Sequence, residues 1–341
     1  MVVKRIILIL IVITLMLPAF VQSAPKVNLV QKENQVDVLI NGKLFTSYIY
    51  GDNLPKSFLA PVCTPSGIEV TRRHPLVDLE GGSDDHEHHV GIFFASDRVN
   101  GTERFWNSTG TSPQIKLMKV TDMVSGDKGK LSVESNWIDK KGTAVLKEER
   151  TMIFMPTDNP SEYAIDFSMD LTALTDKVVF EDIEEGVFAI RLADCLREQR
   201  GKVDAGVMPG KPLPKESVKG TGRYFSSNGD ETARHVWGKR ARWLALQGVR
   251  KDKVVGVAIL NHPESINYPT YWHARHYVLF SANPLGQGDF QRQDDYKKND
   301  PVYLNFTLKK GQKAHFRFLV IAFEGVRTQD QIEKRFKEFA R

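Results

Sequence analysis

The sequence predicts an all-β fold, in the form of one large antiparallel β-sandwich with a helix at its C-terminus. Short segments rich in β-branched and aromatic residues follow one another, bounded by Gly, Pro, Asn or Asp. Many of them alternate apolar and polar residues, as half-buried antiparallel strands do. No repeat of fixed period is visible, which disfavours a propeller. A two-domain jelly roll is the alternative arrangement of the same strands.

The predicted strands follow from this pattern in chain order. They are VDVLING, KLFTSYIYG, VGIFFAS, LSVESNWID, TAVLKEERTMIFM, EYAIDFSMDLTAL, KVVFEDIEEGVFAIRLA, ARWLALQG, VVGVAILN, RHYVLFSAN, VYLNFTLKKG and AHFRFLVIAF. The first two are joined by Asn-Gly, which is a hairpin signal. The predicted helix is TQDQIEKRFKEFAR, where Thr328 and Gln331 form a capping box. Ile332, Phe336 and Phe339 then lie on one face of that helix.

The first 24 residues predict a secretory signal peptide. A basic pair precedes an apolar stretch from Ile6 to Phe20, and small residues up to Ala24 suit cleavage. An uncleaved anchor is the alternative, but the apolar stretch is short for a membrane span. We therefore expect residues 25–341 to form a single exported β-sandwich domain, periplasmic or extracellular, with no membrane span after cleavage.

Charge and cysteine content restrict the partners. The chain has 47 Lys and Arg against 42 Asp and Glu, and its charges are interspersed without a dense basic patch. Nucleic acid is therefore not an expected partner. Cys63 and Cys195 could pair in an oxidising compartment or remain as two buried thiols, and the sequence leaves both open.

The first candidate cluster is DDHEHH, residues 84–89, directly before an apolar strand. His86 and His88 point to the same side of an extended chain. Together with His89 they could bind a divalent metal with a further ligand from elsewhere. They could also hydrogen-bond a sugar or transfer protons near neutral pH, which is the favoured interpretation. A purely structural role in the loop is the third alternative.

The second candidate cluster is NHPESINYPTYWHARHY, residues 261–277. His273, Arg275 and Tyr277 alternate, so on a strand they share one face. An apolar core does not favour imidazole, guanidinium and phenol together, whereas a polyhydroxylated or anionic ligand does. Trp272 could stack on a sugar ring, and His262 ends the preceding strand. A buried structural network is the alternative.

Two further stretches add candidates. In EDIEEGVFAIR, Glu185 is the carboxyl group that we expect to act as acid or base, because glycoside hydrolysis requires paired carboxylates. Arg191 lies on the same predicted strand. A solvated acidic turn is the alternative for the carboxylates. We expect the first and second candidate clusters to form the two walls of one cleft. Trp237 could line this cleft, although core packing explains it equally well.

Five blocks together resemble a known family. They are DHEHHVGIFFASDRVNGTERFW, EEGVFAIR, WGKRARWLALQG, ILNHPESINYPTYWHAR and FSANPLG. In this order they are similar to secreted bacterial proteins of unknown function labelled methane oxygenase PmoA, over about residues 55 to 325. A particulate methane oxygenase subunit spans the membrane several times, so the label is not expected to describe the activity. Val90 stands where the family pattern has Arg, which puts an anionic contact there in doubt. The resemblance implies a carbohydrate context.

These observations predict a sandwich of the galactose-mutarotase-like kind and an exported carbohydrate-active protein. The ligand would be a carbohydrate or another polyhydroxylated small molecule. Glycoside hydrolysis through Glu185 is preferred to uronate lysis, in which Arg275 would neutralise the carboxylate. A non-catalytic sugar-binding protein and a metal enzyme with histidine ligands are the alternatives. The catalytic candidates are His86, His89, Glu185, His273 and Tyr277, and the substrate-binding candidates are Arg191, Trp237, His262, Trp272 and Arg275. No metal ligand is assigned, and a divalent metal at His86, His88 and His89 stays open.

Overall fold

The computed structural model describes residues 26–77, 82–198, 220–292 and 300–341. The predicted signal peptide lies outside these residues, as does much of the Gly- and Pro-rich segment after residue 198. The strands, numbered in chain order, are β1 Val27–Gln31, β2 Gln35–Ile40, β3 Lys43–Ile49, β4 Phe58–Val62, β5 Ile92–Phe94, β6 Gln114–Val124, β7 Gly129–Ile138, β8 Ala144–Pro156, β9 Glu162–Ala173, β10 Lys177–Val179, β11 Phe188–Arg191, β12 Arg223–Ser226, β13 Trp243–Arg250, β14 Lys253–Asn261, β15 Tyr271–Ala274, β16 Leu279–Asn283, β17 Thr307–Lys309 and β18 Lys313–Glu324. The helices are α1 Thr232–Val236, α2 Gly288–Arg292 and α3 Gln329–Phe339.

Two eight-stranded antiparallel sheets form the sandwich. The front sheet has the strand order β1-β2-β3-β4-β5-β11-β16-β15, and the back sheet has the order β12-β13-β14-β18-β9-β8-β7-β6. A small sheet pairs β10 with β17. The predicted all-β sandwich with a C-terminal helix is therefore confirmed. None of the described helices is long and apolar enough to cross a bilayer.

The main core lies between the inner faces of the two sheets. Along β7, buried and half-buried residues alternate, as the pattern LSVESNWI predicts. Phe188 of the front sheet stacks on Phe318 of the back sheet with ring centroids 4.7 Å apart. Phe94 likewise contacts Phe316 across the core. These contacts identify the inner face of each strand, and with it the outer face.

Helix α3 covers part of the outer face of the back sheet. Its predicted capping box is present: the Thr328 hydroxyl accepts from the Gln331 backbone N–H, and the Gln331 side chain accepts from the Thr328 backbone N–H. Ile332 and Phe336 are buried in a second apolar cluster together with Trp243 of β13. The apolar face of this helix therefore packs on the back sheet.

Both cysteines are free thiols in the structure. Cys63 is buried and Cys195 is half-buried. Burial is the main reason why the pKa of Cys63 is raised to about 12. The two thiols are therefore unpaired in the structure and do not form the disulfide that the sequence also allowed.

One row of side chains crosses the outer face of the front sheet. The strand register aligns Phe58, Phe93, Ala189, Ser281 and His273, each beside the next. Successive residues of a strand point to opposite faces, so this row lies opposite the core-facing phenylalanines. Strands that are far apart in the sequence therefore present their side chains side by side on this surface.

Candidate functional site

A buried arginine holds the histidine-rich loop in place. The Arg72 guanidinium donates hydrogen bonds to the backbone carbonyls of Asp85, His86 and His89 at 2.7, 2.9 and 3.1 Å. It also donates to the Asp85 carboxylate at 2.8 Å. His86 has a φ of 47°, and its backbone carbonyl accepts a hydrogen bond from the backbone N–H of His89. The loop is thus fixed by one side chain from a neighbouring segment, and its imidazoles are preorganised.

The Asp85 carboxylate ties this loop to strand β11. Its Oδ1 also accepts from Arg191 Nη2 at 2.7 Å, so two guanidinium groups share one carboxylate oxygen. Burial raises the pKa of Asp85, but the hydrogen bond from His86 and the charges of Arg191 and Arg72 outweigh it. The pKa therefore lies below its ordinary value, and Asp85 stays ionised.

The two predicted walls of the cleft meet in a column of nearly parallel planes. His89 lies 6.2 Å from Phe93 and 4.9 Å from His86, measured between ring centroids. His86 in turn stacks on Tyr277 at 5.2 Å, and Arg191 lies 4.6 Å from the Tyr277 ring. His86 and Tyr277 are far apart in the sequence. Their contact confirms that the first and second candidate clusters converge.

The imidazoles of His88 and His89 are held neutral. Burial is the main reason why the pKa of His88 is lowered to about 3, with the charge of Lys56 adding to it. Burial also lowers the pKa of His89 well below its ordinary value. Neutral imidazoles can bind a metal, but the rings of His86 and His89 lie face to face. Within the described ranges, no group of three or more His, Cys, Asp or Glu residues is arranged to hold a metal ion.

His273, Arg275 and Glu184 form a closed hydrogen-bonded triad. Arg275 Nε donates to His273 Nε2 at 2.8 Å, and Arg275 Nη2 donates to the Glu184 carboxylate at 2.7 Å. Since arginine can only donate, His273 must carry its proton on Nδ1, which donates to the Glu184 carbonyl at 3.0 Å. Both nitrogens of His273 are therefore occupied. This geometry corrects its predicted catalytic role to that of a residue that positions Arg275.

Glu185 lies beside a second, fully buried carboxyl group. The backbone N–H of Asp97 donates to the Glu185 carbonyl at 3.1 Å. Arg104 and Asn107 both donate to Asp97 Oδ2, each at 2.9 Å. Burial, followed by the charges of Glu184 and Asp97, raises the pKa of Glu185 to about 7. A half-buried carboxyl group with this pKa can carry a proton at neutral pH, which a general acid requires.

Trp237 lies at the edge of the same surface. The half-buried indole packs against Phe290 at 5.2 Å, and the guanidinium of Arg275 lies 6.0 Å from its ring centre. That Trp237 lines the cleft stays a prediction.

Two predicted substrate-binding residues lie elsewhere, and the structure corrects both. Trp272 is fully buried in the main core and its Nε1 donates to the Ala241 carbonyl at 3.0 Å. It neighbours the outward-facing His273, so strand alternation turns it inward. His262 ends β14 of the back sheet and packs against Phe339, 4.8 Å between rings. The chain crosses from the back sheet to the front sheet between residues 262 and 271, so nearness in sequence was misleading.

The vicinity of His262 contains a separate polar groove. The cavity, of about 260 Å³, lies on the outer face of the back sheet. Its charges are paired among themselves: Arg317 forms an ion pair with Asp166 at 3.0 Å, and His315 with Asp170 at 2.7 Å. This groove does not adjoin the imidazole column.

Sequence reasoning missed part of the site. Lys56 is fully buried, and its Nζ donates to the Trp106 carbonyl at 3.0 Å. Burial lowers the pKa of Lys56 to about 7, against the opposing charge of Asp97. Arg72 was missed as well. No local pattern marks either cation, although Asp97 and Trp106 lie in the blocks that carried the family resemblance.

Seven buried polar atoms around this surface have no hydrogen-bond partner among the described residues. They are Arg72 Nε, His89 Nδ1, Asp97 Oδ1, Trp106 Nε1, Arg191 Nε and Nη1, and Trp237 Nε1. Leaving such an atom unpaired costs about 1–3 kcal/mol, so each one requires an explanation. A site that receives polar groups of a ligand provides one.

Comparison with known proteins places the chain in a family. The model of the family of unknown function DUF6807 matches residues 35–337, and the chain belongs to this family. The resemblance to proteins labelled methane oxygenase PmoA stays a prediction. No curated protein matches the chain.

Three solved structures are similar to this chain at low identity. A galactose mutarotase related enzyme from Lactobacillus acidophilus is 10% identical, with a TM-score of 0.34, covering 89% of this chain and 98% of that one. The Slr1438 protein from Synechocystis sp. PCC 6803 is 8% identical, with a TM-score of 0.34, covering 88% and 96%. The 4-alpha-glucanotransferase from Thermococcus litoralis is 10% identical, with a TM-score of 0.25, covering 88% of this chain and 37% of that one. Similarity at this level does not identify an activity.

Proposed function

We propose that this chain is an exported carbohydrate-active enzyme that hydrolyses a glycosidic bond over the outer face of the front sheet, with Glu185 as proton donor. The observation that carries the proposal is the convergence of chemically active side chains from distant segments. The imidazole column, the triad of His273, Arg275 and Glu184, and the Glu185–Asp97 neighbourhood lie on one surface. Such a concentration of perturbed titratable groups is typical of active sites.

The residues take distinct roles in this proposal. Glu185 protonates the oxygen of the leaving group, because its pKa near 7 keeps a proton available at neutral pH. Arg275, which is partly exposed, donates to a substrate oxygen while Glu184 and His273 hold it. His86, with 36% of its side chain exposed, presents its imidazole to ligand hydroxyl groups. Tyr277 and Arg191 support His86 from below.

Uronate lysis is the less favoured reaction, for two reasons. Arg275, which would neutralise the substrate carboxylate, is already paired with Glu184 at 2.7 Å. Burial, in spite of the charges of Arg275 and Arg191, raises the pKa of Tyr277, so this phenol is a poor base. Lysis is recognised directly by an unsaturated product that absorbs in the near ultraviolet, whereas hydrolysis gives a new reducing end without that absorbance.

The decisive experiment compares Glu185→Gln with wild type on a panel of glycans. We expect new reducing ends from at least one glycan with wild type and a loss of about 10²–10⁴-fold with the variant. Glu264→Gln is the matched control, since Glu264 is 64% exposed on the back sheet, and it should retain full activity. Equal activity of Glu185→Gln and wild type would exclude Glu185 as the proton donor.

A non-catalytic sugar-binding protein is the second candidate, supported by the unpaired Nε1 of Trp237 at the edge of the cleft. It predicts binding of a glycan in calorimetry without any product after prolonged incubation.

Elemental analysis of protein purified without a His tag tests the metal-enzyme alternative. One bound metal ion per chain, together with loss of activity on chelation, would favour the metal enzyme over the two proposals that need no metal.

A further inference from the structure

A cluster of buried polar groups lies on the inner side of the imidazole column, around the ring of Phe93. Lys56 Nζ lies 5.1 Å from the ring centre, and the Trp106 ring lies 4.7 Å from it. His89 lies 6.2 Å from Phe93 and 5.8 Å from Trp106. The charge of Asp97 acts on Lys56, and that of Lys56 acts on His88. These groups belong to one neighbourhood at the base of the proposed cleft.

The polar atoms of this cluster are buried but not satisfied. Trp106 Nε1, His89 Nδ1 and Asp97 Oδ1 have no hydrogen-bond partner within the part of the chain that the structure describes. The three residues are 0%, 3% and 0% exposed.

Lys56 is 1% exposed, and among the described residues its hydrogen bond goes to the Trp106 carbonyl, not to a carboxylate. A folded chain tolerates so many unpaired groups in one place only if something compensates them.

The donors and acceptors of the cluster define the chemistry of a complementary ligand. The indole N–H and the ammonium group donate, the carboxylate oxygen of Asp97 accepts, and the neutral imidazole of His89 can do either. A sugar hydroxyl both donates and accepts, so it matches this mixture. A carboxylate only accepts. It could accept from Lys56 and the indole N–H, but it would be repelled by the buried charge of Asp97 and would leave Asp97 Oδ1 without a donor.

We propose that Lys56, His89, Asp97 and Trp106 form an inner subsite that binds hydroxyl groups of a neutral sugar ring. The inference deepens the proposed function and rests on it for the location of the cleft. It assigns a neutral hexose residue, not a uronic acid, to the innermost position. Lys56 and Trp106 become residues that determine specificity, separate from the proton donor Glu185.

The test is a coupling experiment on binding. Dissociation constants are measured by calorimetry for methyl glycosides of glucose, galactose and mannose, their monodeoxy derivatives, and methyl glucuronide. Wild type and Trp106→Phe are compared, because phenylalanine keeps an aromatic ring and removes the indole N–H together with part of the ring volume. Lys56→Met provides a second variant. Trp137→Phe is the control: Trp137 is equally buried, but its Nε1 donates to Glu148 at 2.8 Å, away from the cluster.

We expect one monodeoxy derivative to bind wild type about 5- to 10-fold more weakly than its parent sugar, and this difference to vanish in Trp106→Phe. It should persist in Trp137→Phe, and the glucuronide should bind more weakly than the neutral sugar. If the effects of the missing hydroxyl group and of Trp106→Phe on the dissociation constant are additive for every derivative, the inference is overturned. Water alone would then occupy the proposed subsite. Tighter binding of the glucuronide would overturn it as well, as would the absence of any glycoside binding.

The outcome separates this inference from the proposed function. Coupled binding without hydrolysis supports the subsite and removes the enzyme. Hydrolysis that depends on Glu185, without coupling at Trp106, supports the enzyme and removes the subsite.

Discussion

Replacing Asp85 by Asn should destabilise the protein by about 1.5–3 kcal/mol. Asp85 Oδ1 accepts hydrogen bonds from the buried Arg72 and Arg191 at 2.8 and 2.7 Å. A hydrogen bond to a charged group contributes about 1.5–3 kcal/mol, which gives about 3–6 kcal/mol for two. The Asp85 side chain is 36% exposed, so solvent screening reduces this to about half. Asparagine preserves the shape and removes the charge, which leaves two buried guanidinium groups without their shared carboxylate.

Urea denaturation followed by circular dichroism measures this loss as a shift of the midpoint at unchanged slope. Asp122→Asn is the matched control, because Asp122 forms a surface ion pair with Lys130 at 2.8 Å, and it should cost less than about 0.5 kcal/mol. The folded-state pKa of Asp85 is lowered, so its contribution is present above the ordinary aspartate pKa. The difference from wild type should persist from pH 5 to 8 and decrease only in strong acid, where Asp85 protonates. A midpoint indistinguishable from wild type at pH 7 would refute the role of Asp85 as the shared anchor.

Two other predictions follow from the same structure. The kcat/KM of the active enzyme should fall as pH rises through about 7, because the proton on Glu185 is lost there; a rate that rises over this range would identify it as a base. Gly91→Ala should cost more than about 4 kcal/mol and abolish soluble expression, because its φ is +48° and an added Cβ would lie 2.0 Å from the Leu59 carbonyl oxygen. Gly142→Ala, at a φ of +82° in open space, should cost only about 1 kcal/mol in thermal denaturation, and equal losses at both positions would contradict the steric argument.

Local patterns predicted those parts of the molecule that local physics determines. Alternation in LSVESNWI matches strand β7, and the Thr328–Gln331 capping box begins α3 as expected. The convergence of His86 with Tyr277 was also predicted, because both clusters carry polar side chains that an apolar core does not accommodate.

The predictions for Trp272 and His262 were wrong because they depend on strand pairing, which local patterns do not reveal. Which face of a strand is inward, and which sheet a strand joins, depend on pairing partners far along the chain. Trp272 follows the inward parity of β15, and His262 belongs to the other sheet. Lys56 and Arg72 escaped notice because a charged residue beside a strand usually faces solvent, and only tertiary packing buries these two.

The row of side chains across the front sheet has a consequence for folding. The aligned positions Phe58, Phe93, Ala189, Ser281 and His273 come from strands β4, β5, β11, β16 and β15. Strands β15 and β16 are consecutive, whereas the pairings of β5 with β11 and of β11 with β16 join distant parts of the chain. Such pairings have a high contact order and form slowly, after the entropy of closing long loops has been overcome. During synthesis the cleft therefore cannot form until its last strands have been made. The chain must emerge from the ribosome beyond Ser281 before His273 can lie beside it, and until β16 pairs with β11 the Arg275 side of the site is not attached to the rest of the sheet.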